Sequence, residues 1–163
     1  MPLSIAFCRD IEISAFHRAI SDFNQTWAVI QSLHLIAMAT LVASITAFDL
    51  RLLGVAMTRV PISRLGHRLL PATWFAFGLL ILTGGTMFVE KAISYCENWV
   101  FIAKMGLILV AGLNMAVFQF SVYCSVTKWD ADAATPLSAK LAGSTSVLLW
   151  AGVVVAGRWI GFV

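Results

Sequence analysis

The chain has 163 residues, 60% of them hydrophobic and 12% charged, with a formal net charge of +3 at neutral pH. A soluble domain has about a quarter of its residues charged, so this balance excludes an ordinary soluble protein and reads as one all-α integral membrane domain. The net positive charge does not point to nucleic acid, because the basic residues fall between apolar stretches, where positive charge sets membrane orientation.

Residues 1–26 carry Arg9, Asp10, Glu12, Arg18 and Asp22, too many charges for a span. Ile13, Phe16, Ile20, Phe23 and Trp27 recur at helical spacing, so the segment is expected to form an amphipathic helix on the membrane surface. It has no basic n-region, and no cleavable signal peptide is expected.

Residues 27–163 are expected to form a four-helix transmembrane bundle. A span needs roughly 20 mostly apolar residues, and Trp27–Phe48, Leu69–Val89, Trp99–Tyr123 and Leu141–Val163 qualify. The first connection, Leu50–Arg68, holds Arg51, Arg59, Arg64 and Arg68. The second, Glu90–Asn98, is short and acidic. The third, Ser125–Lys140, holds Lys128 and Lys140. Lysine and arginine are richer in the first and third connections than in the N-terminal segment and the second. That asymmetry places the first and third in the cytoplasm of a bacterial inner membrane and both termini in the periplasm. Trp27, Trp99 and Trp159 then fall at the outer interface. Cys8 and Cys96 both fall outside, where a disulfide is one option. Gly112 with Ala116 and Gly152 with Ala156 have the spacing of helix-packing grooves, and Gly84–Gly85 would allow a close backbone approach.

An ionisable group inside a span is costly and therefore a functional candidate. His34, Lys104 and Arg158 stand out. From the rise of ~1.5 Å per residue, they lie roughly 10, 8 and 8 Å below the outer edge. They thus share one layer while coming from three helices. Gln31, one turn before His34, and Thr83 on the second span are candidates for the same layer. In one reading His34 is the axial ligand of a haem iron or another metal, since neutral imidazole is a good ligand. Lys104 then supplies a second ligand or a charge, and Arg158 pairs with an anionic group such as a haem propionate. In the other, His34 hydrogen-bonds Gln31 or a carbonyl while Lys104 and Arg158 snorkel to headgroups. At the inner end, Asp49 with an arginine makes an expected ion pair. Around it, Arg51, Arg64, His67 and Arg68 either form a solvated basic loop on anionic lipid or bind a quinone head group, a second propionate pair or lipid phosphate. His67 and His17 rank below His34 as ligands. Five methionines (Met38, Met57, Met87, Met105 and Met115) are scattered in depth, which fits apolar filling better than copper.

The stretches SLHLIAMATLVASITAFDLRLLG, PISRLGHRLLPATW, FIAKMGLILVAGLN and LLWAGVVVAGRWIGF resemble a group of small bacterial four-helix membrane proteins of unknown function. The chain is also distantly similar to the HemJ-type protoporphyrinogen oxidases and to the copper-resistance D-like membrane proteins. The matching positions are His34 in the first span, Arg51 at its inner end, Thr83–Gly84 in the second and Lys104 opening the third. The resemblance implies a haem b site at His34 and Lys104. The HemJ-type pattern has a further histidine on the third span, where this chain has Asn114, and its fourth span does not end in AGRWIGF.

The resulting expectation is a b-type haem protein of electron transfer or oxidation, held by His34, Lys104, Arg158 and Gln31, with His34 on the metal. Membrane lipid surrounds it, with a quinone or other redox partner. The alternatives are a non-enzymatic subunit of a larger membrane complex and a copper-handling membrane protein, and either is compatible with a homo-oligomer.

Overall fold

A computed structural model describes residues 3–14, 24–130 and 135–162. The described residues are almost entirely helical and include no strand. The helices are α1 (Leu3–Glu12), α2 (Asn24–Leu53), α3 (Ile62–Glu90), α4 (Ala92–Glu97), α5 (Trp99–Val117), α6 (Val126–Trp129) and α7 (Leu137–Trp159). A π-helical turn, Phe118–Val122, and a 3-10 turn, Tyr123–Ser125, carry α5 on toward α6. Four stretches are long and apolar enough to cross a membrane: Trp27–Leu52, Ile62–Glu90, Trp99–Ser125 and Leu137–Phe162.

These helices outrun the apolar stretches that reveal them. α2 continues five residues past Phe48, and α3 starts seven residues before Leu69. Hydropathy marks only what must leave water, whereas the backbone ladder continues until a residue stops it. Gly54 stops α2. It adopts φ +76°, its N–H reaches the carbonyl of Arg51 at 3.1 Å, and the Val55 N–H reaches that of Leu50 at 3.0 Å. This is the Schellman pattern that left-handed glycine permits. Asn98 caps α5: its side chain accepts from the backbone N–H groups of Val100 at 2.9 Å and Phe101 at 3.3 Å and so satisfies orphan donors of the first turn.

α2 packs against α3 and α7, and α5 packs against α7. One apolar cluster gathers Phe48, Leu52, Ile62, Leu65, Phe118 and Trp129 near the arginine-bearing first connection. A second, further along the helices, contains Leu41, Ile45, Ala76, Ala111, Trp150 and Val153. Small residues set the approach. An ideal Cβ on Gly143 would sit 3.4 Å from the Asp49 carbonyl oxygen, and one on Gly152 would sit 3.3 Å from Leu107. A Cβ on Gly66 would collide with the Tyr123 hydroxyl, so this glycine admits a ring that also meets Phe48 and Phe118 at 6.2 and 6.0 Å between centroids. A Cβ on Gly112 would meet nothing within 4 Å, so only the Gly152 half of the expected pair of grooves holds a tight contact. Large apolar side chains such as Leu35, Ile36, Phe75, Ile81, Leu82, Leu109 and Leu148 point outward.

Each end has its own clasp. At one end α1 lies on α4 through a Cys8–Cys96 disulfide, and Glu12 accepts a hydrogen bond from the Ile93 N–H at 3.0 Å. The second connection is therefore a docked helix rather than a bare loop. Ile13 is exposed. Phe16, His17, Ile20 and Phe23, on which the amphipathic surface helix partly rested, lie outside the described residues. Phe88, Tyr95 and Phe101 stack beside this clasp at 5.0–6.3 Å between centroids.

At the other end, Asp130 caps α3. Its carboxylate accepts from the Ser63 N–H at 2.9 Å and from the Ser63 hydroxyl. Burial on its own pushes the Asp130 carboxyl up, but the Ser63 and Ile62 donors and the Arg51 charge outweigh it and hold the group below the usual carboxylate range. A carboxylate at a helix N-terminus also meets the positive end of the helix dipole. Because the folded value is depressed, the stabilisation is present above the ordinary aspartate value of 3.8 and fades as pH falls through the folded one. Asp130→Ala is expected to lower the unfolding midpoint by the equivalent of about 1 kcal/mol. Thermal melts in one fixed detergent should show that difference at pH 7, and it should shrink on acidification below pH 4.

Candidate functional site

His34 sits on α2 facing α3. Its Nδ1 lies 2.8 Å from the Thr83 hydroxyl oxygen. Thr83 has one hydroxyl hydrogen, and it donates that hydrogen to the Leu79 carbonyl at 2.7 Å. The Thr83 oxygen can therefore only accept, and His34 Nδ1 must carry the proton. In the neutral ring this leaves the Nε2 lone pair unused. Gly84 makes room for the ring, since a Cβ there would sit 3.3 Å from His34 Cε1.

Lys104 on α5 is half-buried and close enough to His34 for its charge to act on the ring. Its Nζ lies against α7, where a Cβ on Gly157 would come within 3.4 Å of it. Thus α2, α3, α5 and α7 all contribute to one layer, through His34, Thr83–Gly84, Lys104 and Gly157. Two of the expected members sit apart from it. Gln31 is exposed, and the partner of His34 is Thr83 instead. Arg158 is also exposed, with its guanidinium 5.2 Å from the centroid of the Phe162 ring. The reason is helical geometry: residues three apart share a face only approximately, so equal depth does not bring Gln31 or Arg158 to the side on which Thr83 stands.

A second polar site lies near the arginine-bearing end. Asp49 is only 5% exposed. Ser146 of α7 stands beside it on the same cavity, and the Asp49 Oδ2 has no hydrogen-bond partner. Among the described residues, the ion pair expected between Asp49 and an arginine is not formed. Arg51, two positions along α2, points away and donates from Nε to the Val60 carbonyl at 2.7 Å. Asp49 borders a cavity of about 40 Å³ that also touches Thr73 on α3, Asn114 on α5 and Ser146 on α7. Neither this cavity nor an adjoining apolar one of about 30 Å³ is lined by His34, Lys104 or Arg158. Arg64, His67 and Arg68 are exposed on α3, away from this cavity.

Thr73, Asn114 and Ser146 are not recognisable as site residues from the sequence, since lone hydroxyls and amides are common in apolar helices. The available signal was Asp49 itself, which falls in register with Ile45, Phe48 and Leu52 on the buried face of α2. Among the described residues, no group of three or more His, Cys, Asp or Glu side chains could hold a metal ion. A metal held at His34 would accordingly have to draw its other donors from outside these residue types, Lys104 being one candidate.

The model of a family of unknown function, DUF6644, matches residues 17–163. No curated protein and no solved structure matches the chain.

The hydrogen-bond chain from His34 to Thr83 to Leu79 makes a specific prediction. Thr83→Val removes the acceptor and strands a buried donor, which costs about 1–3 kcal/mol, whereas Thr83→Ser keeps the bond. Nitrogen-15 spectra of histidine-labelled protein should show an Nδ1-protonated His34 in the parent and in Thr83→Ser, with the signal redistributed in Thr83→Val.

Proposed function

We propose that this chain, which belongs to the DUF6644 family, is a multi-pass protein of a bacterial inner membrane. Its four long helices form a bundle that holds a b-type haem through His34. The observation that carries the haem reading is the bond from His34 Nδ1 to Thr83. A ligating histidine is characteristically held by a hydrogen bond from its second nitrogen, which orients the ring and frees the other for the metal. Lys104 is the second ligand or the charge beside it, and Gly84 and Gly157 keep that layer clear of side chains. The cavities between the helices stop short of His34, so the group would rest against the outer surface of the helices, where a second copy or a partner subunit could cover it. Arg158, exposed at the same depth, is free to meet a propionate. When bound, such a haem supplies one-electron transfer, and a quinone or another membrane carrier is the matching redox partner. No comparison shows the HemJ-type or copper-resistance D-like similarity read from the sequence, so the assignment rests on the geometry at His34, Thr83–Gly84 and Lys104.

The orientation places the disulfide clasp outside and the arginine-bearing end inside. Two independent features support it. Disulfides persist in an oxidising compartment, and Cys8 pairs with Cys96. The opposite end carries Arg59, Arg64, Arg68 and Lys140, as the positive-inside rule requires. The outward-facing leucine, isoleucine and phenylalanine side chains are the surface that lipid would cover.

Protein purified from haem-replete cells should show a Soret band that shifts on reduction. His34→Ala should abolish it, and Lys104→Met should change the spectrum while leaving the protein folded. A colourless preparation, co-purifying with stoichiometric partner subunits, would replace the haem reading with that of a structural subunit. For the orientation, non-reducing gels should show Cys8–Cys96 intact in cells with a working periplasmic oxidation system and lost in cells without one.

A further inference from the structure

The Asp49 cavity has no part in the haem reading and calls for its own explanation. An ionised carboxylate taken out of water without a compensating charge is costly, and in practice such a group neutralises. Intramembrane carboxyls of this kind mark ion pathways and proton relays. The charge that could compensate Asp49 is not supplied by its neighbours. Arg51 is on the same helix but bonded to Val60. Facing it are Thr73 and Leu70 from α3, Asn114 and Met115 from α5, and Ser146 and Trp150 from α7, none of them charged or readily titrated. Arg68 on α3 is exposed, and Lys140 on α7 does not border the cavity.

The neighbouring polar groups also have hydrogens committed elsewhere. Thr73 donates to the Leu69 carbonyl at 2.9 Å. Asn114 donates one amide hydrogen to the Ala142 carbonyl at 3.1 Å. Their oxygens are left as acceptors beside the unpartnered Asp49 Oδ2. These groups form a small polar patch in an otherwise apolar lining, and the unpartnered Asp49 Oδ2 within it needs a group that donates. The cavity, at about 40 Å³, exceeds the roughly 10–15 Å³ that one water requires. Asp49 stands four residues before the end of α2, about 6 Å along the axis, so the arginine-bearing end is the short route to it.

We propose that Asp49, Thr73, Asn114 and Ser146 form an intramembrane proton-binding site, in which the Asp49 carboxylate takes up one proton delivered through water from the arginine-bearing end. The proton adds to a carboxylate oxygen and returns to water by the same route. No electron moves, and the site operates whether or not His34 carries a haem. One carboxylate suits one positive charge. The other possible occupant is a sodium ion, and the test separates the two.

Infrared difference spectra of the full-length protein in lipid nanodiscs, recorded through a pH titration, read the occupant directly. The spectrum of the parent minus that of Asp49→Asn is expected to contain a carboxylic-acid C=O band that appears on acidification, shifts in heavy water and is the same in sodium chloride and choline chloride. Should Asp49→Asn fail to fold, Asp49→Glu is expected to move the band rather than delete it. Absence of the band at every pH at which the protein stays folded would overturn the proposal. So would a band that appears only when sodium is replaced by choline, or one that Asp49→Glu leaves unmoved.

Discussion

The hydrogen bond between His34 and Thr83 shows the constraint on every polar group between these helices: where water is excluded, each donor must find its acceptor within the protein. His34 gives its Nδ1 hydrogen to Thr83, Thr83 gives its own to Leu79, and the chain of donors ends on a backbone carbonyl with nothing left over. Ser44 and Thr73 close the same account by donating to the carbonyl four residues earlier. Asp49 does not close it. Its Oδ2 has no partner, and the residue borders a small cavity shared with Ser146. One site therefore leaves a lone pair on a nitrogen and the other leaves one on a carboxyl oxygen. Glu90 Oε2 and Gln119 Oε1 are also buried without a partner, but neither borders the cavity beside Asp49.

Those sites are held in register by clasps outside the apolar layer. The Cys8–Cys96 bridge and the Glu12 bond anchor α1 to α4, and the short helix α4 joins α3 to α5 beside the His34 layer. At the opposite end, Asp130 ties the third connection to the start of α3, with Arg51 bridging to Val60. The Asp49 cavity lies just above this second clasp, with Phe48 and Phe118 bordering it. The π turn at Phe118–Val122 belongs to the same region. The extra residue of such a turn re-aims the side chains that follow, and here Tyr123 comes to rest over Gly66.

The four apolar helices, the histidine among them, the lysine near the start of the third and the cysteines at one end were all legible from composition and spacing. Depth could be read as well, because a helix rises by a constant amount per residue. Rotation was less accessible. Gln31 and Arg158 lie at the right depth and face outward, and the ion pair expected of Asp49 fails because Arg51, two residues on, points elsewhere. The apolar pattern of these helices runs nearly all the way round, and so it carries little information about which face is inside.

The sequence by itself thus determined what must leave water: four helices, their order, and the few ionisable groups caught among them. Those follow from transfer free energies and helix length, which act locally. Only the tertiary structure decided that Thr83 answers His34, that Gly84 and Gly157 clear space around His34 and Lys104, and that Thr73, Asn114 and Ser146 converge on Asp49. Each of these depends on how one helix is turned toward another, and that is set by close contacts between residues dozens of positions apart in the chain.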